Sequence, residues 1–182
     1  MKYYHGSPNG EISKLTVEKS VDGYVWLAQD YCFALLYGAN HTRFWAVDKN
    51  TNKLIIREVQ PGSLELMYKN KSCYIYSTEN VGEFEQFDFA GRKSIRLSHD
   101  VEIETKEYIP DAFEKIKELE KQGKLIIRYY NDMTTEQKQN EKEKIINTFK
   151  PVIKETYEKF HDDYLILSTL FEELKIENIQ KA

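Results

Sequence analysis

The chain is poor in cysteine, with only Cys32 and Cys73 in 182 residues. They stand far apart and form no CxxC, so they read as reduced, buried thiols of a cytosolic protein rather than as a disulfide framework. Four histidines, His5, His41, His99 and His161, include no i, i+4 pair and offer no metal site. There is no GxxxxGK and no GxGxxG, so phosphate cradling by a glycine-rich loop is unsupported. No run approaches the ~20 apolar residues that a membrane helix needs. The stretch after Lys2 lacks an apolar region, so no secretory leader is expected. Basic residues are outnumbered, 26 Lys and Arg against 30 Asp and Glu, for a net charge of −4. That balance argues against a broad phosphate-binding face, because Lys and Arg dominate affinity for nucleic acid, although it leaves room for a local basic groove.

What the chain does have is aromatic and β-branched residues, including 13 Tyr and 9 Phe. Before residue 110, short segments of them alternate with Gly, Asn, Asp or Pro: Lys2–His5, Tyr24–Ala28, Arg43–Val47, Leu54–Val59, Cys73–Tyr76, Ser94–Leu97 and Val101–Tyr108. "DKNTNK" at 48–53 reads as a hairpin turn. One early helix interrupts them at 30–38, with Asp30 as N-cap, Gly38 just past its end, and Phe33, Ala34 and Tyr37 on one face.

After 110 the pattern becomes helical. Phe113, Ile116 and Leu119 space a helix that Gly123 stops, and 124–130 reads as a strand. Thr134 and Gln137 have capping-box spacing, and Pro151 should break or restart the helix that follows. Phe149, Ile153, Tyr157, Phe160, Tyr164, Leu167, Phe171 and Leu174 then recur at steps of four and three. This stripe is either a helix or helix pair packed on the domain or a surface for a partner or a second copy, and Asp162 and Asp163 could cap a second helix within it. The expectation is an α+β fold. Residues 1–109 form a twisted, mostly antiparallel sheet core, as one sheet or two packed sheets, and 110–182 form a helical extension.

"YYHGSPNG", residues 3–10, places His5, Gly6 and Ser7 where a first strand gives way to a turn. "VWLAQD" and "ALLYG" follow as strand, turn and helix, with Tyr37 eleven positions after Trp26. This order resembles the ADP-ribosyltransferase fold, in its diphtheria-toxin-like branch that also holds the poly(ADP-ribose) polymerases. The resemblance covers roughly the first hundred residues. It implies NAD as substrate. His5 would bond a ribose hydroxyl, the Gly6 backbone would pair with the nicotinamide carboxamide, Ser7 would lie beside them, and Trp26 and Tyr37 would sandwich the nicotinamide ring. Trp26 stands where that family usually has a tyrosine.

The resemblance also implies a late-strand glutamate that steadies an oxocarbenium ion. Glu102 and Glu104, on one face of an alternating strand, are the candidates, Glu102 first because it comes earliest after the "SHD" bend; a solvated strand face is the alternative for both. Ser98, His99 and Asp100 spell a triad in sequence, but neighbours on a strand point to opposite faces, so a turn fits better. His41 reads as a loop residue and His161 as a helix-end residue. The acceptor would be a protein or a nucleic acid. Two alternatives stand beside transfer of ADP-ribose. One is an inactive module that binds through its helical tail. The other is an RNA 2′-phosphotransferase-like enzyme, disfavoured by the scatter of Arg43, Arg57, Arg92, Arg96 and Arg128.

Overall fold

The computed structural model describes residues 1–20, 22–40, 44–89 and 91–179, which leaves His41 and Arg43 outside the described residues. In chain order, β1 (Tyr3–Ser7), β2 (Lys14–Leu15) and β3 (Val25–Ala28) precede α1 (Tyr31–Ala39). Next come β4 (Trp45–Val47), β5 (Leu54–Arg57), α2 (Ser63–Tyr68), β6 (Cys73–Thr78), β7 (Glu85–Phe89), β8 (Arg92–Leu97), β9 (Val101–Glu102) and β10 (Thr105–Ile109). Then α3 (Ala112–Lys121), β11 (Leu125–Arg128), α4 (Thr135–Phe149), α5 (Ile153–Lys159), α6 (His161–Leu170) and α7 (Ile176–Ile179) complete the chain. The fold is α+β, with one large antiparallel sheet and C-terminal helices.

Two compact units share the chain: Met1–Ile56 with Tyr68–Ile126, and Arg57–Met67 with Ile127–Ala182. The sequence pattern changes character at 110, but α3 belongs to the β-rich unit, and a short segment before β6 belongs to the helical one.

In the β-rich unit six strands run in the order β10-β6-β1-β3-β8-β7, every pair antiparallel. Alternation divides their side chains between two faces. Tyr3, Val25, Leu27, Ile95 and Leu97 leave one face and join Leu15, Val81 and Val101 in a buried cluster. Each such side chain is worth ~1.5–3 kcal/mol for leaving water. The other face carries α1. The helix starts where Asp30 accepts bonds from the amides of Cys32 (2.8 Å) and Phe33 (3.3 Å). It runs one residue past Gly38, so Gly38 is not the residue after its end. The glycine serves packing instead: a Cβ on it would meet the Gly6 Cα at 3.0 Å. A Cβ on Gly6 would stand 1.9 Å from the Ala34 carbonyl oxygen. Helix and strand therefore lie backbone to backbone at this glycine pair.

The hairpin at 48–53 forms, closed by Asp48 N donating to Lys53 O (2.9 Å), with Asn52 at φ 54. The strand expected over Val101–Tyr108 is broken. β9 pairs with β2 in a small sheet, whereas β10 pairs with β6. Val101 is drawn into the buried cluster, and the Glu104 amide already bonds Ser77 O (3.0 Å), so the chain changes sheets at Ile103–Glu104. Four short elements had no sequence expectation: β2, α2, α7, and β7, whose "EQFDF" is mostly solvent-facing.

In the helical unit the Thr134–Gln137 capping box closes α4. A 3-10 turn at Lys150–Val152 carries Pro151 and starts α5. The stripe then splits, because α5 ends at Lys159 and α6 begins at His161 with Asp162 and Asp163 in its first turn. Ile153, Leu167, Phe171 and Leu174 are buried, but Tyr157 and Phe160 are exposed, so the stripe is not one continuous seam. An ion pair joins Arg57 to Glu141, and Glu58 accepts from the amides of Gly62 and Tyr130, both at 3.0 Å. No helix among the described residues is long and apolar enough to cross a membrane.

Candidate functional site

His5, Gly6 and Ser7 lie within β1 rather than at a turn beyond it. Along its whole length β1 pairs with β6, but its register with β3 holds a single pair, Tyr4↔Ala28. Past Tyr4 the two strands part, and a cleft of about 590 Å³ lies there. Its lining includes all five expected binding residues, His5, Gly6, Ser7, Trp26 and Tyr37. The volume suits a small ligand, since such sites run ~300–1,000 Å³.

The His5 ring crosses the gap: its Nδ1 is 3.1 Å from the Trp26 carbonyl oxygen. A carbonyl only accepts, so Nδ1 carries the proton. Burial lowers the imidazole's pKa, opposed by that bond, and the ring is neutral at pH 7. Nε2 is then a lone-pair acceptor, suited to a ligand hydroxyl.

Trp26 is fixed at both ends. Its Nε1 donates to Asp22 Oδ2 (2.8 Å), and its ring meets Phe87 edge-on at 5.2 Å and Phe89 at 5.5 Å. The indole and the Ser20 hydroxyl hold the Asp22 carboxyl below its usual range. Tyr37 is 39% exposed and meets Phe33 edge-on at 4.8 Å; Phe33 in turn meets Trp45 at 4.9 Å. Two rigid aromatic walls result, one from the sheet and one from α1. The Ser7 hydroxyl accepts from the Asn9 amide (3.1 Å), and Tyr76 donates to Asn9 O (2.7 Å), which fixes the turn after β1.

Gly6 needs its missing side chain for α1, not for a ligand. What the cleft receives from it is backbone only.

The two carboxylates expected to be catalytic are elsewhere. Glu102 is exposed on β9 and pairs with Lys14 at 3.2 Å. Glu104 accepts from the Glu79 amide at 3.1 Å. Neither lines the cleft, and no Asp or Glu stands among its described lining residues. The break between β9 and β10 is the reason, because it takes Glu102 out of the large sheet. His99 sits in a turn, with Nε2 3.0 Å from Val81 O, and forms no triad. His161 opens α6 against Tyr157.

Tyr4, Lys19, Phe33, Phe89 and Ser94, none of them expected in a site, also line the cleft. The signal for Phe89 was available, since Phe87 and Phe89 alternate in "EQFDF". Lys19 is the only Lys or Arg in the described lining. No protein-family model, curated protein or solved structure matches the chain.

Proposed function

We propose that the β-rich unit is an ADP-ribosyltransferase-like module that binds NAD, with the nicotinamide ring between Trp26 and Tyr37. The observation that carries this reading is the convergence of His5, Gly6, Trp26 and Tyr37 on one cleft. The residues fit the ligand's parts. Two aromatic walls grip a flat ring, each ring contact worth ~0.5–1.5 kcal/mol beyond area burial. The β1 backbone past Tyr4 has no registered β3 partner and offers donors and acceptors to a carboxamide. Nε2 of His5 accepts from a ribose hydroxyl, and Lys19 stands ready for a phosphate.

In the enzymatic form of this reading the nicotinamide–ribose bond breaks, its electron pair leaves with nicotinamide, and a protein or nucleic-acid acceptor attacks the ribose carbon and loses its proton. The chain's part is to hold the ring, orient the ribose through His5 and exclude water with Trp26 and Phe89. A carboxylate would lower the barrier further by preorganised charge. Its absence from the described lining favours a second reading, a module that binds NAD without cleaving it. Free nicotinamide measured after incubation with NAD, alone and with cell lysate, separates the two. Turnover above a His5→Ala control supports transfer. Saturable binding with no release supports the binding module. Neither binding nor release sinks both.

The site of action in this reading is the cytoplasm, where the free, buried Cys32 and Cys73 stay reduced. Burial raises both thiols to about 12 and leaves them inert. Tyr157, Phe160 and Leu165, exposed on the helical unit, supply the surface for a partner or a second copy.

A further inference from the structure

A second cavity of the β-rich unit, about 1020 Å³ in volume, shares only Tyr4 with the aromatic cleft. Its lining is charged. The four carboxylates in it are each engaged. Asp30 is paired with the buried Arg92 and caps α1. Lys115 bridges Glu107 at 3.5 Å and Glu118 at 3.2 Å, and Glu107 also accepts from the Tyr31 hydroxyl at 3.0 Å. Asp88 accepts from the Gly91 amide at 2.5 Å.

Three lysines remain, from three separate elements: Lys53 before β5, Lys93 on β8 and Lys124 before β11. Among the described residues none of their ammonium groups has a carboxylate within ion-pair distance. Lys93 stands opposite Asp88 in the β7–β8 register without pairing to it. Lys53 is half-buried, its Nζ 3.8 Å from where a Cβ on Gly123 would lie, beside the residue that precedes Lys124. Lys93 and Lys124 are exposed, so the three present their charges to a cavity roomier than one phosphate needs, where the carboxylates already hold Arg92 and Lys115.

We infer that this cavity binds an oligophosphate, a ligand with at least two linked phosphate groups. A single carboxylate would match one lysine, whereas a diphosphate carries the charge and the spread of acceptors for three. Lysine suits the task as a flexible point charge that tolerates varied phosphate geometry. Inorganic diphosphate and the diphosphate of a nucleotide share this chemistry.

Calorimetric titration of the whole chain with pyrophosphate, and in parallel with ADP, at ionic strength held constant with sodium chloride, tests the site. The expected result is one saturable site, weakened about tenfold or more in the Lys53→Gln/Lys124→Gln variant, whose thermal melt is unchanged. Equal affinity for pyrophosphate and ADP assigns recognition to phosphate alone. Tighter ADP adds the nucleoside, and either outcome supports the site. The inference is overturned if pyrophosphate gives no saturable heat, if sulfate at the same ionic strength competes as well, if the double variant binds like the parent, or if only a single-stranded oligonucleotide binds. Pyrophosphate has no ring for the aromatic cleft to hold, so this site and the NAD reading fail independently.

Discussion

The aromatic cleft and the charged cavity share Tyr4, and both draw residues from β7, β8 and α1, yet their chemistries are opposite. The cleft holds one neutral imidazole and one lysine among aromatic walls. The cavity holds five cations and four carboxylates. The contrast comes from neighbours in sequence. Ala28 and Phe33 line the cleft, while Gln29, Asp30 and Cys32 line the cavity; Ser94 lines the cleft and Lys93 the cavity. Function here depends on register. Neighbours on one sheet and one helix enter two unlike sites because adjacent side chains leave in different directions.

The largest effect should come from the contact that positions α1 for both sites. Gly6→Val puts a Cβ at the Ala34 carbonyl, where the obstacle is backbone and cannot rotate away. Overpacking of this kind costs ~1–3 kcal/mol or more, and a fall in Tm of roughly 5–10 °C is expected. Ligand binding at both sites should be lost with it. A variant that melts like the parent would mean α1 is not seated on β1 as described.

Smaller, and confined to the cleft, is the effect of pH through His5. Its folded pKa lies below the unfolded 6.5, so the unfolded chain binds the proton more readily. The stability due to neutral His5 is fully present above pH 6.5. It is lost as pH falls from 6.5 through the lowered folded value. Urea midpoints measured across that window should decline in the parent and decline less in His5→Asn, which keeps a donor for Trp26 O. Equal slopes would show that His5 is not the buried group that matters.

The smallest effects belong to the glutamates. Glu102→Gln breaks an exposed pair with Lys14, and Glu104→Gln weakens one backbone bond at the surface. Each should shift stability by no more than ~0.5 kcal/mol and leave NAD affinity unchanged. A loss of nicotinamide release in Glu102→Gln at constant affinity would restore the glutamate to the site and blur the contrast between cleft and cavity.

Local signals were legible in the sequence where local chemistry decides. Asp30 as a cap, the Asp48–Lys53 turn and the Thr134–Gln137 box all form as read, because each closes within a few residues. His5, Trp26 and Tyr37, which the resemblance to the ADP-ribosyltransferase fold implied would share a site, all line one cleft. Hidden was whatever depends on distant pairing. The "VEIET" run alternates like one strand, but β2 takes its first half and β6 its second. Gly38 looks like a helix stop and is a packing contact with β1, a partner the helix's own sequence does not reveal. Lys19 joins the cleft only through the tertiary fold.

In the NAD reading, Trp26 and Tyr37 are the two walls of a nucleotide site. Titration of NAD into the parent, Trp26→Ala and Tyr37→Ala tests it most directly, with thermal melts on the same samples. Saturable binding by the parent, weakened about tenfold or more in each variant while both still melt cooperatively, is the predicted result. No binding by the parent, or parental affinity in both folded variants, would contradict it.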